Sequence, residues 1–433
     1  MTIRSITLNT ICKQSFGIYR SMIDALAILV VAAAMFAYIN ERLVRLPMTI
    51  GVAAIALTFS LICISLESLD IVSFRAPITR WISSLDFSRL LLNGMLSFLL
   101  FAGALQVDGG KLKQYGWQVG FLAIVSTATS AVLIGVATYL TLNAVHLNLP
   151  FTYCLVFGSV VAPTDAVSVL GTLRRATVPS NVETAIAGES LFNDGVGIVL
   201  FAIFAQLAVS DKVPSITSVA GQFCHEAIGG IFLGGLIGML ILILLRGIDH
   251  YQVEVLLTVA AVIGGYAVAE YLGVSGPLAM VVAGALVGNI GREHAMSHVT
   301  RANLDTFWEL IDGTLNAVLF TLIGLEAVAM RADLRAWMVM PATIAIVLSA
   351  RVLTVGLPVA LMSQVFKLPA RTAPLMVWAG LRGGISVALA LSLPAGRERD
   401  LILLLTYGNV IFSTFAQGLS IEWFARRTYA QAE

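Results

Sequence analysis

The sequence predicts an all-α membrane protein that crosses the bilayer many times. Of its 433 residues, 58% are hydrophobic and only 12% are charged, and the mean hydropathy is +0.91. A soluble domain has about 25% charged residues, so most of this chain is expected to lie in lipid. Apolar runs of about 17–25 residues, separated by polar turns or by turns with Pro and Gly, indicate about thirteen transmembrane helices.

The thirteen predicted spans are short apolar stretches with short connections, which leaves no room for a soluble domain. We expect a single transmembrane domain over 22–425, a tail over 1–21 with no cleaved signal peptide, and a tail over 426–433. The net charge of +1 gives no reason to expect a nucleic-acid partner, and the scattered cysteines indicate no metal or other cofactor. The spans cover about 22–39, 48–66, 90–107, 117–142, 151–172, 182–209, 223–245, 252–271, 276–290, 306–329, 336–362, 371–393 and 400–424.

The two halves of the chain resemble each other weakly. Phe98–Gln106 in the third span is similar to Val318–Glu326 in the tenth, and each is followed by basic residues and a tryptophan. Pro47–Ala54 opens the second span much as Pro277–Gly284 opens the ninth. Spans 1–6 would therefore pair with spans 8–13, with span 7 as a link. Because seven spans separate the two starts, the repeats are inverted, an arrangement typical of secondary transporters.

The fifth and twelfth spans each contain a helix-breaking sequence, at corresponding positions of the two repeats. Val160–Asp165 contains a proline, which removes a backbone donor, and Gly380–Gly384 contains three glycines, which weaken a helix. Irregular backbone at membrane depth is tolerated only where it is buried in protein or lines a cavity. We expect the broken helices to cross near the substrate site, with backbone oxygens near Thr164 facing a cation and with Asp165 and Arg382 at the helix ends.

The sixth span carries two carboxylates at membrane depth, within Ala187–Phe201. Charged residues are costly there, so Glu189 and Asp194 are candidate functional residues. Ser190 and Asp194 are four residues apart, and their side chains therefore share one face of a helix. Together with Asn193, they can offer oxygen ligands to a small cation.

The balance of charges within the spans favours a cation as substrate. Of 26 Lys and Arg residues, only Arg351 and Arg382 lie well inside a span, against three acids there, Asp165, Glu189 and Asp194. Because buried charges must be paired, we assign Arg351 to Glu189 and Arg382 to the region of Asp165. Asp194 is then left to hold either a proton or a metal cation, but not both. The alternative, that these charges only tie helices together, is disfavoured because several of them lie at helix breaks.

Three motifs resemble one known family. Gly188–Gly195 (GESLFNDG), Ala162–Ala166 (APTDA) and Leu381–Ser386 (LRGGIS) look like those of the monovalent cation/proton antiporters of the first type. These are the sodium/proton exchangers, called NhaP in prokaryotes. The resemblance extends over about 22–425, nearly the whole chain.

This resemblance implies a thirteen-helix homodimer in the cell membrane that exchanges a monovalent cation for protons by alternating access. The segments on the same side of the membrane as the C-terminus carry a slight excess of Lys and Arg. This excess, together with the resemblance, places the C-terminus in the cytoplasm. A mobile core would move against a dimerisation part, with a linker helix between them. The dimerisation part covers about 22–107 and 252–329, the core about 117–209 and 336–424, and the linker about 223–245.

The resemblance also implies a role for each residue of the site. Asp194 would be the carboxylate shared by the proton and the cation, and Ser190 and Thr164 would be further ligands of the transported cation. Asn193 would support the ion-binding loop, and Asp165 would belong to the same ion- and proton-binding site. Since Asn193 precedes Asp194, in place of a second acid, the sequence resembles the electroneutral branch, with one proton exchanged per cation.

The sequence leaves the transported ion open among Na⁺, Li⁺ and K⁺, with Na⁺ favoured. A transporter of organic anions on the same plan would need Arg351 and Arg382 free of acids, and three buried acids argue against that. An intramembrane aspartyl protease would use two carboxylates that share a proton. Its usual Gly-x-Gly-Asp element is missing at Asp165 and Asp194, so we expect no enzyme activity.

Overall fold

The computed structural model describes residues 24–69, 94–107, 109–165, 169, 172–173, 176, 178–209, 215–328, 334–366, 368–369 and 371–429. Within these residues the regular structure is entirely helical. Nine of the described helices are long and apolar enough to cross a membrane, and three shorter apolar helices accompany them. The predicted all-α, multi-spanning class is therefore confirmed, while the count of thirteen spans stays a prediction.

The helices follow the order of the predicted spans, except that the twelfth span forms two helices. Three short helical segments, at Gly109–Gln114, Arg292–His294 and Ser363–Phe366, lie in the connections. The main helices are α1 (Asp24–Val44), α2 (Met48–Ser68), α3 (Leu96–Leu105), α4 (Gly116–Ala144), α5 (Phe151–Val161), α6 (Ser180–Val209), α7 (Ile216–Leu245), α8 (Tyr251–Leu272), α9 (Gly276–Gly291), α10 (His298–Glu326), α11 (Arg335–Leu361), α12 (Thr372–Trp378), α13 (Gly384–Leu391) and α14 (Arg397–Tyr429).

Both predicted helix breaks are present. α5 ends at Val161, two residues before Pro163, and irregular backbone separates α12 from α13. The continuation of the fifth span lies largely outside the described residues, as do the tail 1–21, most of the loop after α2, and residues 430–433. The last helix is longer than predicted and includes residues 426–429. Tyr429 is buried at its end, and the hydroxyl groups of Tyr429 and Thr372 are 2.9 Å apart, which fixes the last turn against α12.

Local sequence explains how the helices near the site begin and end. Ser275 precedes α9 and its hydroxyl accepts a hydrogen bond from the backbone N–H of Leu278, with Pro277 in the first turn. Gly273 ends α8 with φ of 65°, a left-handed conformation that favours glycine. Ser215 caps α7 in the same way through the N–H of Ser218, so α7 starts earlier than its apolar pattern predicts.

The chain divides into two compact units, Met1–Leu90 with Thr314–Arg331, and Leu91–Gly313 with Ala332–Glu433. In the first unit, α2 packs closely against the C-terminal half of α10. The Ser60 hydroxyl donates to the carbonyl of Gly324 at 2.7 Å. A Cβ on Gly324 would collide with Ala56, so glycine is needed for this close approach.

The described residues of the second unit include two hydrophobic cores. One combines buried side chains of α4, α6, α11, α12 and α14. The other combines side chains of α3, α7, α8, α9 and the N-terminal half of α10 with Leu191 of α6, around Trp308 and Phe101, whose ring centroids are 4.7 Å apart. The broken helices and α6, which carry the candidate site residues, belong to this unit.

Candidate ion-binding site

The break after α5 leaves backbone groups that a continuous helix would have satisfied, and other elements bind them. The N–H of Thr164 donates to the side-chain oxygen of Asn193 at 3.2 Å. The N–H of Asp165 donates to the carbonyl of Leu381 at 2.8 Å. Because buried backbone groups need partners, these bonds fix the break against α6 and against the second broken helix.

Arg382 joins the two breaks. Its guanidinium Nη1 donates to the carbonyls of Ala162 and Pro163, at 2.5 and 2.6 Å. These carbonyls lie just beyond the C-terminal end of α5, where a positive charge is favourable. Arg382 is buried, so this contact is shielded from solvent. The two broken helices therefore meet, as the sequence predicts.

A cluster of buried polar side chains lies between the first break and α6. The hydroxyls of Thr164 and Ser190 are 3.0 Å apart, and the Asn193 amide donates to the Thr164 hydroxyl at 2.9 Å. Thr164 and Ser190 are each 1% exposed and Asn193 is fully buried. α6 comes this close because a glycine, Gly197, faces the ring of Pro163, where a Cβ would collide.

Asp194 lies one helical turn beyond Ser190 on the same face of α6. It is half-buried, and no hydrogen bond or ion pair joins its carboxylate to another residue that the structure describes. The charged groups that act on it are those of Asp165 and Arg382. Asp194 thus places a carboxylate that has no hydrogen bond or ion pair within the described residues on the face of α6 that carries the Ser190 hydroxyl.

Glu189 has a different environment, although it is only five residues from Asp194. Its two carboxylate oxygens bind the two Nη atoms of Arg351 at 2.8 and 3.1 Å. Arg351 also donates from Nε and Nη2 to the carbonyl of Met376, near the end of α12. Glu189 is 1% exposed and Arg351 is 4% exposed. The structure therefore brings together the pair that the charge balance assigned.

Asp165 lies at the second break as well as the first. Its side chain packs against Gly383, the residue before α13, so closely that a Cβ there would lie 2.9 Å from the Asp165 Cβ. Asp165 is half-buried and makes a further polar interaction of its own. Its negative charge lies near the N-terminal end of α13, where an anion is favourable.

The structure thus gathers all eight predicted site residues in one region of the second unit. Sequence reasoning missed two uncharged residues of α14 that also contact the second break, Ser413 and Gln417. The available signal was a pair of polar residues inside an apolar span, four residues apart. The charge balance does not include Ser413 and Gln417 because neither side chain is ionisable.

Comparison with known proteins identifies the family. Residues 30–427 match the family described as sodium/hydrogen exchanger, transmembrane. The Na⁺/H⁺ antiporter NhaP of Pseudomonas aeruginosa is 46% identical over 417 residues, which cover 94% of this chain and 97% of that protein. The chain belongs to the sodium/hydrogen exchanger family. As a member, it is a multi-pass membrane transporter and not an enzyme.

A second relative supports this membership, and a solved structure shows the same fold. The Na⁺/H⁺ antiporter NhaH of Halobacillus dabanensis is 36% identical over 306 residues, which cover 70% of this chain and 73% of that protein. The solved structure of the sodium proton antiporter MjNhaP1 from Methanocaldococcus jannaschii at pH 8 has the same fold, with a TM-score of 0.72 and 17% identity. That alignment covers 96% of this chain and 99% of the other.

Proposed function

We propose that this protein exchanges a monovalent cation, Na⁺ in the first instance, for protons, and that the two compete for Asp194. One observation carries the proposal. Among the three acids of the site, Glu189 is bound by Arg351 and Asp165 has an interaction of its own, whereas the Asp194 carboxylate has no hydrogen bond or ion pair within the described residues. The relatives named as Na⁺/H⁺ antiporters support the choice of ions.

The residues around Asp194 suit a small, hard cation. Ser190 and Thr164 supply hydroxyl oxygens 3.0 Å apart, and such cations prefer oxygen ligands. Asn193 orients Thr164 through two hydrogen bonds, to its N–H and to its hydroxyl. In this proposal the cation binds Asp194, Ser190 and Thr164, and Asp165 adds negative charge nearby. Li⁺ and K⁺ are the alternative cations for the same binding site.

Competition at one carboxylate is sufficient for exchange. A protonated Asp194 has lost the charge that holds the cation, and a bound cation occupies the oxygens that would take the proton. If only loaded forms cross between the two sides, each cation moves in exchange for one proton, which makes transport electroneutral. Asn193 precedes Asp194 and carries no charge, so it adds no second proton-binding group.

We propose further that the core that carries the site covers about 117–209 and 336–424 and moves as one body. Polar contacts between its helices support this. The Ser126 hydroxyl of α4 donates to the Thr354 carbonyl of α11 at 2.6 Å, and the Ser130 and Thr354 hydroxyls are 2.7 Å apart. The ion pair between Glu189 and Arg351 joins α6 to α11.

The remaining segments complete the proposed assembly. The second hydrophobic core, built mainly from α3, α8, α9 and part of α10 with side chains of α6 and α7, supports a dimerisation part over about 22–107 and 252–329. α7 forms the linker. We propose a homodimer in the cell membrane, in contact with lipid, with its C-terminus in the cytoplasm.

Competition predicts a specific dependence of transport on pH. As pH falls within the range where Asp194 titrates, the apparent KM for Na⁺ should rise, approaching about tenfold per pH unit, while the rate at saturating Na⁺ stays constant. The measurement is initial Na⁺-driven proton flux in proteoliposomes over a grid of pH and Na⁺ concentration. A constant KM with a falling maximal rate would contradict competition at a shared carboxylate.

The organic-anion alternative finds no support in the site. An anion needs a free cationic group, and both candidates are engaged: Arg351 by Glu189 and Met376, and Arg382 by the carbonyls of the first break. The same flux assay distinguishes the two substrates, since an organic-anion transporter would give no proton flux upon addition of Na⁺, Li⁺ or K⁺.

A further inference from the structure

The second break separates one donor from one acceptor. In a continuous helix, the N–H of Arg382 would bind the carbonyl of Trp378, four residues before it. Instead, the Arg382 N–H donates to the Ser413 hydroxyl at 2.6 Å, and the Trp378 carbonyl accepts a hydrogen bond from the Gln417 amide at 3.1 Å. Two side chains of α14 therefore replace the backbone hydrogen bond that the break removes.

The spacing of these two side chains matches the spacing of the groups that they bind. Ser413 and Gln417 are four residues apart, as are Arg382 and Trp378. Both side chains belong to a π-helical turn of α14, Ser413–Gln417, and both are buried. This turn offers one acceptor and one donor to the break, at the positions where they are needed.

Contacts beyond the turn hold the end of α12 on the same helix. The indole N–H of Trp378 donates to the Ser420 hydroxyl at 2.9 Å, and its ring stacks on Phe424. The break is therefore supported along two successive turns of α14. A shift of α14 would move the break with it.

The contacts continue from the break to the cation ligands. Ser413 fixes the backbone of Arg382, and the Arg382 guanidinium binds the carbonyls of Ala162 and Pro163. Thr164 follows directly, and its hydroxyl lies 3.0 Å from that of Ser190. A displacement of the Arg382 backbone would therefore shift the carbonyls that its guanidinium binds, and with them the neighbouring Thr164 hydroxyl.

We propose that Ser413 and Gln417 are positioning residues of the ion site: they hold the second break in the shape that presents Arg382 to the first break, and so set the affinity for the cation. They do not touch the cation. The inference rests on the proposed function, because it assumes that the cation binds at Asp194 and Thr164.

The test compares two buried glutamines that make the same kind of bond. Gln417→Met removes the donor to the Trp378 carbonyl, and Gln118→Met removes a donor to the Val365 carbonyl, away from both breaks. We expect Gln417→Met to raise the apparent KM for Na⁺ about fivefold, the effect of one lost hydrogen bond, with little change in maximal rate. Gln118→Met should leave the KM for Na⁺ unchanged, and the melting temperatures of both variants report any general loss of stability.

The serine gives a second, independent test, which also serves if Gln417→Met does not insert. Ser413→Ala removes the acceptor of the Arg382 N–H, whereas Ser413→Thr keeps a hydroxyl. We expect Ser413→Ala to raise the KM about fivefold and Ser413→Thr to restore most of the affinity. Ser97→Ala is the control, since the buried Ser97 hydroxyl donates to the Gly94 carbonyl, three residues earlier, and makes no other hydrogen bond within the described residues.

Stabilisation of the purified protein by Na⁺, measured against choline as a rise in melting temperature, provides a readout apart from flux. It should weaken in Gln417→Met and in Ser413→Ala, and not in the controls. The inference is overturned if Gln417→Met and Ser413→Ala change the KM for Na⁺ no more than their controls, Gln118→Met and Ser97→Ala, do. Asp194→Asn, assayed in parallel, separates the two failures: if that variant still exchanges, the proposed site itself is wrong.

Discussion

Asp194→Asn is expected to abolish cation/proton exchange while leaving the protein inserted and folded. The substitution keeps the size of the side chain but removes both the negative charge and the group that takes the proton. Because no described residue makes a hydrogen bond or ion pair with this carboxylate, the substitution breaks no such contact, so stability should change little. The measurement is Na⁺-driven proton flux in proteoliposomes, with melting temperature as the check on folding.

The matched control is Asp249→Asn, at an exposed position between α7 and α8. It makes the same chemical change outside the site and should leave the exchange rate within about twofold, since surface substitutions usually have small effects. If Asp194→Asn retains exchange, or if Asp249→Asn loses it to the same extent, the assignment of Asp194 is wrong.

Arg351→Met is expected to cause a large loss of stability, about 3–5 kcal/mol in free energy of unfolding. The reason is that Glu189, 1% exposed, would be left with an uncompensated buried charge. The substitution also removes the two hydrogen bonds to the Met376 carbonyl at the end of α12. Thermal unfolding of the detergent-purified protein measures the effect.

The double variant Glu189→Met with Arg351→Met separates the effect of the ion pair from the effect of the hydrogen bonds to the Met376 carbonyl. Replacing both partners of a buried pair by apolar side chains is often neutral, so much of the lost stability should return. The return should be incomplete, because the Met376 carbonyl still lacks its donor. A double variant no more stable than Arg351→Met alone would show that the Glu189 charge is not the cause of the loss.

Much of the site follows from the sequence, because charges and breaks inside apolar spans are costly and therefore conspicuous. Pro163 and the glycines at Gly380–Gly384 predict two broken helices, and the structure places both breaks together. The pairing of Glu189 with Arg351 follows from the need to neutralise buried charge. The same argument leaves Asp194 as the acid without a partner.

The sequence does not predict how the uncharged groups complete the site. The contact between Arg382 and the carbonyls of the first break depends on how closely the two breaks approach. The π-helical turn that carries Ser413 and Gln417 has no distinct hydrophobic period. The partners of these side chains are backbone groups about 35 residues away, which become available only once the twelfth span is broken.

The most direct test of the central claim is the release of protons when Na⁺ binds. Purified protein in a weakly buffered detergent solution receives NaCl, with choline chloride as the control, and the change in pH is followed with an indicator dye. Competition at Asp194 predicts a release that approaches one proton per bound cation at low pH, falls as pH rises, and is absent in Asp194→Asn. Na⁺ binding without proton release, or equal release from Asp194→Asn, would contradict the account.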